Sequence, residues 1–111
     1  MAHYMLLLRN EPNGWGHLSP EEMQKAIEKY LEWRTRPFVV DGNGLVDKTG
    51  RVVHKGGASV TDGPFTESRE VMGGYYTIEA ASWDEAVSLA LTNPHLGFGS
   101  IEVREVIPKR S

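Results

Sequence analysis

Apolar residues fill both alternating sets of positions from Tyr4 to Arg9, a pattern that predicts a strand covered on both faces. The aromatic and β-branched run from Val71 to Ala80 predicts a second, central strand. The segment from Ile101 to Ile107 predicts a final strand, in which Ile101 and Val103 face opposite to Glu102 and Arg104. These three segments carry the clearest strand signals in the chain.

Two further segments have the start signals and the periodicity of helices. Ser19-Pro20-Glu21-Glu22 combines an N-cap serine, a proline at the first helical position and a glutamate three residues after the cap. The apolar stripe of this helix, which ends before Pro37, consists of Met23, Ala26, Ile27, Tyr30, Leu31 and Arg34. Ser82-Trp83-Asp84-Glu85 repeats the capping pattern and begins a second helix, which Asn93-Pro94-His95 ends. Its stripe consists of Ala86, Val87, Ala90 and Leu91.

Glycine interrupts the strand signals between the two helices. An extended segment begins at Phe38-Val39-Val40 and is broken by Asp41-Gly42-Asn43-Gly44. A hairpin is predicted with its turn at residues 47–50, between Leu45-Val46 and residues 51–54. The predicted order is therefore α+β and ferredoxin-like, β-α-β-β-α-β with an extra hairpin, an antiparallel sheet with two helices on one face.

Two helices cover only one face of such a sheet. The first strand is apolar on both faces, and an uncovered apolar face of that size is unfavourable in a soluble monomer. The sequence therefore predicts a homodimer that packs sheet to sheet.

Length and composition narrow the class of protein. A chain of 111 residues forms one domain, residues 1–111. A net charge of −3 argues against nucleic-acid binding, which requires a clustered basic face. The apolar run near Met1 is too short for a signal or membrane segment, so we expect a soluble, cytoplasmic protein with no membrane partner.

The residue types also argue against bound metals and cofactors. The absence of cysteine excludes disulfides, thiolate nucleophiles and cysteine-ligated zinc. The four histidines show no ligand spacing, and no glycine-rich segment has the pattern of a phosphate loop. We therefore expect no metal and no cofactor.

The segment Asp62-Gly63-Pro64-Phe65-Thr66-Glu67 and the following Ser68-Arg69-Glu70-Val71-Met72-Gly73-Gly74-Tyr75-Tyr76 carry the strongest functional signal. Pro64 stiffens a turn, and Gly73-Gly74 allows main chain to approach closely. Carboxylates on a stiff turn beside an aromatic strand are typical of a small-molecule pocket. The segment predicts that Asp62, Phe65, Glu67, Tyr75 and His95 converge on one concavity.

The acidic residues of this segment have two interpretations each. Asp62 is a candidate general base or substrate-binding carboxylate, or it caps the turn that follows it. Glu67 and Glu70 are candidates for a carboxylate pair with one raised pKa. Arg69 between them is a candidate substrate-binding residue, or it pairs both carboxylates in a solvated ionic turn.

His95 is the best histidine candidate because it follows a helix-ending Asn-Pro at a helix-to-strand corner. It acts there as a proton shuttle, or it holds loop carbonyls in place. Trp15, Phe65 and Tyr75 are candidates for an aromatic ligand pocket, whereas Tyr76 is expected in the core.

Taken together, these segments resemble the YCII-related, or DGPF, family over nearly the whole chain. The resemblance includes the first strand, Ser19-Pro20-Glu21-Glu22, residues 60–76, Glu79-Ala80-Ala81-Ser82, Asn93-Pro94-His95 and Ser100-Ile101-Glu102-Val103-Arg104. It implies a dimeric α/β-barrel made of two ferredoxin-like chains.

The resemblance also bears on function. Some relatives are thought to use a His–Asp pair with the histidine on the first helix, but the helix from Pro20 to Arg36 contains no histidine, so that pair is not carried over. Two functions remain open. The first is a cofactor-independent acid–base enzyme of lyase or isomerase type acting on a small organic molecule. The second is a non-catalytic ligand-binding or regulatory module, since family members often lie beside genes for alternative sigma factors.

Overall fold

The structure is a computed structural model that describes residues 1–11, 15–46, 49–62 and 71–108. Its strands are β1 (Ala2–Asn10), β2 (Val39–Gly44), β3 (Arg51–Val53), β4 (Val60–Asp62), β5 (Val71–Ala80) and β6 (Gly99–Glu105). Its helices are α1 (Pro20–Arg34) and α2 (Trp83–Ala90). Two short 3₁₀ turns, Lys55–Gly57 and Pro94–Gly97, complete the secondary structure of the described ranges.

Four of the strands form one antiparallel sheet in the order β2-β5-β1-β6. Both helices contribute buried residues to the core on one face of this sheet. β3 and β4 pair with each other in a separate two-stranded hairpin inserted between β2 and β5. This is the ferredoxin-like arrangement with an extra hairpin, and the predicted fold class is confirmed.

The core lies where alternate residues of the central strands meet the helices. Leu6 of β1 stands opposite Tyr76 of β5 and Val103 of β6, and all three side chains face the helices. The buried apolar cluster consists of Tyr4, Leu6, Leu8, Trp33, Tyr76, Ile78, Ala80, Ala86 and Ala90. The indole of Trp33 packs edge-on against Tyr76, with ring centroids 4.8 Å apart. Trp33 Nε1 also donates to Thr92 Oγ1 at 3.0 Å, which ties α1 to the end of α2.

The start of α1 confirms the capping signal. Ser19 Oγ accepts from the backbone N–H of Glu22, and Glu22 Oε1 accepts from the backbone N–H of Ser19. At α2, Ser82 Oγ accepts from the Glu85 N–H, but the Glu85 carboxylate accepts from the N–H of Ala81 instead of the cap residue. Both helices therefore begin where the sequence pattern predicts.

The segment between α1 and β5 corrects two predictions. β2 continues through residues 41–44 instead of breaking there, with a register shift between Val39 and Asp41 that leaves Val40 half exposed. The hairpin of the described residues pairs β3 with β4, so its turn lies at residues 54–59. The turn predicted at residues 47–50 lies partly outside the described residues. In the hairpin turn, Gly56 and Gly57 have φ values of +79° and +72°, which glycine adopts without strain.

The packed face of α2 and the end of β6 also differ from the prediction. In α2 the buried residues are Ala86 and Ala90, whereas Val87 and Leu91 are largely exposed. The short alanine side chains let the helix lie close to the sheet, so the stripe that packs is narrower than predicted. β6 ends at Glu105, and Ile107 is exposed.

The second face of the sheet is not covered by any element of the described ranges. On β1 this face carries His3, Met5, Leu7 and Arg9, which alternate with the buried residues and are themselves half-buried. Charged groups surround its apolar centre: Glu102 accepts from Arg9 at 2.7 Å and from Arg104 at 3.2 Å. Coverage of both faces, as predicted for β1, is therefore not achieved by the residues that the structure describes.

Neither of the helices in the described ranges is long and apolar enough to cross a membrane.

Candidate functional site

A cavity of about 390 Å³ lies between α1 and one end of the sheet. Its volume is within the range of natural small-molecule sites. α1 contributes Met23, Ile27, Tyr30, Leu31 and Arg34 to its wall. The sheet and the neighbouring loops contribute Leu8, Asn10, Trp15, Gly42, Asn43, Gly44, Leu45, Gly73, Tyr76 and His95.

The space exists because the sheet presents glycine where it faces this part of α1. A side chain built at Gly44 would meet its nearest atom, the Gly73 carbonyl oxygen, only at 4.0 Å. The predicted apolar stripe of α1 is also divided between two environments. Ala26 of the stripe is buried, whereas Ile27 and Leu31 are partly exposed along the cavity. Trp33, which is not part of the predicted stripe, is buried in the core.

Tyr30 and His95 form a hydrogen-bonded pair in the wall of the cavity. Tyr30 Oη lies 2.7 Å from His95 Nδ1, and His95 Nε2 lies 2.9 Å from the backbone carbonyl oxygen of Arg9. Because a carbonyl can only accept, Nε2 carries the proton of the neutral ring and Nδ1 accepts from the Tyr30 hydroxyl. The hydrogen bond to the Arg9 carbonyl therefore holds the His95 ring in the tautomer that is protonated at Nε2.

The backbone around His95 restricts the position of the ring. The N–H of His95 donates to Asn93 Oδ1 at 2.8 Å, which begins the 3₁₀ turn after the second helix. A side chain at Gly99 would collide with the Arg9 carbonyl and approach His95 Nε2 to 2.9 Å. His95 itself is only 2% exposed. The ring is therefore fixed, and the loop-holding interpretation of His95 is compatible with a proton-transfer role.

Burial extends the pH range over which the two phenols of the cavity stay protonated. Desolvation raises the pKa of Tyr76 to about 12, and the nearby Arg34 opposes this increase. Desolvation also raises the pKa of Tyr30, with a further increase from its proximity to Tyr76. At neutral pH both hydroxyls are therefore donors, Tyr30 to His95 and Tyr76 to the Tyr30 carbonyl at 3.0 Å.

Aromatic rings close one end of the cavity. Trp15 stacks on Phe98 with centroids 4.4 Å apart and an interplanar angle of 17°. Tyr30 lies against the same pair, 5.7 Å from the Trp15 ring centroid. A planar ligand ring would find similar faces to pack against here.

Two polar side chains of the wall are incompletely paired within the described ranges. Asn10 is 6% exposed, and its Oδ1 is buried with no hydrogen-bond partner among those residues. Arg34 has Asp41 as its acidic neighbour, at 3.7 Å between Nη2 and Oδ1. In the same ranges, no three histidine, aspartate or glutamate side chains are grouped closely enough to hold a metal ion.

The predicted site residues are only partly brought together. His95 and Trp15 line the cavity. Tyr75 does not, because it alternates with the cavity residue Tyr76 and lies on the opposite face of the sheet. Asp62 lies at the end of β4 with 89% of its side chain exposed, and it pairs with Arg51 at 3.1 Å.

The remaining candidates, Phe65, Glu67, Arg69 and Glu70, lie outside the described residues. The chain re-enters the sheet at Val71, which stands opposite Asn10, a cavity residue.

Sequence reasoning did not assign Tyr30, Arg34 or Asn10 to the site. The signal for Arg34 was present, since a charged residue ended an otherwise largely apolar helical stripe. Asn10 likewise continues the buried alternation of β1 beyond Leu8 as a polar residue. Tyr30 gave no signal of its own, because an aromatic residue in an apolar stripe is usually part of the core.

This arrangement defines a ferredoxin-like α+β protein with a ligand-sized cavity between its first helix and its sheet. The sequence profile of the YCII-related domain matches residues 2–110. An uncharacterised protein of Rhizobium meliloti strain 1021 is 44% identical over 111 residues, covering 91% of this chain and 89% of that protein. The chain therefore belongs to the YCII-related family, and the resemblance noted in its sequence is confirmed.

One solved structure is a more distant likeness. The 5-chloro-2-hydroxyhydroquinone dehydrochlorinase TftG of Burkholderia phenoliruptrix AC1100, in complex with 2,5-dihydroxybenzoquinone, is 15% identical to this chain, with a TM-score of 0.47. The match covers 92% of this chain and 90% of that one.

Proposed function

We propose that the cavity binds a small, planar organic molecule and that Tyr30 and His95 move a proton to or from it. The chain would then be a cofactor-independent acid–base enzyme of isomerase or lyase type. The observation that carries this proposal is the 2.7 Å contact between Tyr30 Oη and His95 Nδ1 in the wall of a ligand-sized cavity.

The contact supports a balanced proton relay. A ligand atom loses its proton to Tyr30 Oη while the Tyr30 hydroxyl proton moves to His95 Nδ1, leaving a ligand anion and an imidazolium. His95 Nε2 keeps its own proton on the Arg9 carbonyl throughout. Reversal of the relay at a different ligand atom isomerises the ligand, and loss of a leaving group from the anion completes an elimination.

Ligand binding is tested first by thermal shift with a library of phenols, quinones and small hydroxy acids, since a ligand of the native state raises the melting temperature. Gly44→Val fills the cavity from a position with free space, so we expect it to fold and to lose the shift. Gly97→Val is the matched control, because Gly97 also has open space around it but does not line the cavity. Equal shifts in both variants would place binding elsewhere.

Proton transfer is tested with the ligands that bind. Incubation in D₂O should exchange a carbon-bound or transferred proton, seen as a mass increase or a new isomer. Tyr30→Phe keeps the ring but removes the relay hydroxyl, and we expect it to lower exchange about a hundredfold or more, the usual contribution of general acid–base catalysis.

A non-catalytic binding or regulatory module is the second candidate. It is favoured by the fact that both ring nitrogens of His95 already have protein partners within 3 Å. Ligands that raise the melting temperature but show no exchange and no change after long incubation would support this module and contradict the enzyme.

We further infer that two copies pack through the open sheet face. Met5 and Leu7 lie half-buried at its centre, and the ion pairs of Glu102 with Arg9 and Arg104 lie beside them. A second copy would cover this apolar centre while the charged groups remain at the rim, which is the usual anatomy of a protein interface.

A further inference from the structure

The cavity wall has an unbalanced charge. Of the fifteen described residues that line it, Arg34 is the one with a permanent charge, and none is a carboxylate. A cationic ligand group would be repelled at this wall, whereas an anionic group would be attracted.

The guanidinium of Arg34 is not saturated by its neighbour. Its Nη2 lies 3.7 Å from Asp41 Oδ1, which is beyond hydrogen-bonding distance, and about half of each side chain is exposed. A well-formed pair between arginine and carboxylate has N–O distances of about 2.7–2.9 Å and is frequently bidentate. A ligand carboxylate could therefore bind Arg34 more closely than Asp41 does.

Arg34 is also placed at a defined distance from the proton relay. It follows Tyr30 by four residues on the same face of α1, which separates them by about 6 Å along the helix axis. A six-membered ring with a carboxylate at one end and a hydroxyl or carbonyl at the other spans a distance of this order. Both residues line the same cavity.

We propose that the ligand is a small aromatic or cyclic carboxylic acid whose carboxylate binds Arg34 and displaces Asp41 as its counter-ion. This inference rests on the proposed function, because it concerns the same cavity. Arg34 is then the residue that determines specificity for acids, and Asp41 is an internal competitor for the same site.

The test compares para-hydroxybenzoate with its neutral isostere para-hydroxybenzamide by calorimetry. The wild-type chain should bind the acid about tenfold or more tightly than the amide, the scale of one charge-assisted hydrogen bond. Arg34→Gln should abolish this preference while leaving amide affinity within about twofold. Arg34→Lys keeps the charge but loses the bidentate geometry, so a reduced preference for the acid should remain.

Two further variants test the role of Asp41 and provide a control for Arg34→Gln. Asp41→Asn removes the competing carboxylate and should tighten binding of the acid several-fold with no change for the amide. Arg36→Gln is the matched control, since Arg36 is similarly exposed but pairs with Glu32 and does not line the cavity. It should leave both affinities unchanged.

The outcomes separate the two proposals. Equal affinity for acid and amide, or a preference that survives Arg34→Gln, overturns the role of Arg34 while the cavity remains a binding site. Weaker acid binding in Asp41→Asn likewise overturns the displacement of Asp41. Absence of binding by both probes, together with a silent thermal-shift library, contradicts the proposed function itself.

Discussion

The hydroxyl of Tyr30 lies 2.7 Å from Nδ1 of His95, although 65 positions separate the two residues in the chain. Tyr30 lies about one turn before the end of α1, and His95 is in the 3₁₀ turn that leads into β6. The hydrogen bond therefore joins the first helix to the loop before the last strand. It also places a proton donor and its acceptor in the wall of the cavity.

This contact should contribute to stability independently of any activity. Tyr30→Phe removes the hydroxyl but keeps the ring against Trp15, so we expect the free energy of unfolding to fall by about 1 kcal/mol. Urea denaturation measures the difference. Tyr75→Phe is the control, because among the described residues its hydroxyl makes exposed hydrogen bonds, to Asp41 and Asn43, and we expect a smaller effect. A larger loss of stability in Tyr75→Phe than in Tyr30→Phe would contradict this prediction.

Trp33 should be among the most sensitive positions of the core. The side chain is 1% exposed, and it contacts Phe38, Tyr76 and Thr92. Trp33→Ala leaves a large cavity, and we expect a loss of about 3–5 kcal/mol in the free energy of unfolding. Trp83→Ala provides the comparison, since Trp83 is about half exposed and should cost clearly less. Similar losses of stability in the two variants would show that burial of the tryptophan side chain does not determine the cost of removing it.

The buried phenols predict a loss of stability at high pH. The folded-state pKa values of Tyr30 and Tyr76 are raised above the ordinary value near 10, so their contribution is fully present below pH ~10 and is lost as the pH rises above it. We expect Tyr76 to ionise near pH 12, and Tyr30 only as the chain unfolds. Ultraviolet absorbance of tyrosinate, recorded together with circular dichroism, follows both events. Ionisation of all tyrosines near pH 10 in a folded chain would contradict this prediction.

A carboxylate on the open sheet face predicts an effect at low pH. Hydrogen bonds from Arg9 and Arg104 hold the pKa of Glu102 below its ordinary value. Its contribution is therefore present above the unfolded pKa and is lost as the pH falls through the folded one. Glu102→Gln should be less stable than the wild type near neutrality, and the two stability curves should converge in acid. Curves that stay parallel down to low pH would exclude ionisation of Glu102 as the cause.

The open face also predicts the state of assembly. Light scattering at micromolar concentration should give about twice the chain mass of 12.4 kDa. Leu7→Asp puts a charge at the apolar centre of that face and should give the monomer. Leu91→Asp changes an exposed leucine at the end of α2 and should leave the dimer intact. A wild-type chain that remains at 12.4 kDa would remove the basis for this assembly.

Local signals in the sequence were sufficient for most of the fold. The capping residues Ser19 and Ser82 act within four residues of themselves, and the strand alternation of β1 depends only on neighbouring positions. Turn composition predicts a hairpin between Leu45-Val46 and residues 51–54, whereas β3 pairs with β4. Pairing of Val53 with Val60 is decided by strand contact and not by turn composition.

The candidate site was less accessible from the sequence than the fold. Sequence alone determined His95 and Trp15 as candidates, because a helix-ending Asn-Pro and an aromatic residue in a polar loop are visible without coordinates. Only the tertiary structure decided that Tyr30 faces His95 and that Tyr75 lies on the other side of the sheet. A cavity is the space left between elements, so its lining depends on how a helix and a sheet are packed, which no local pattern encodes.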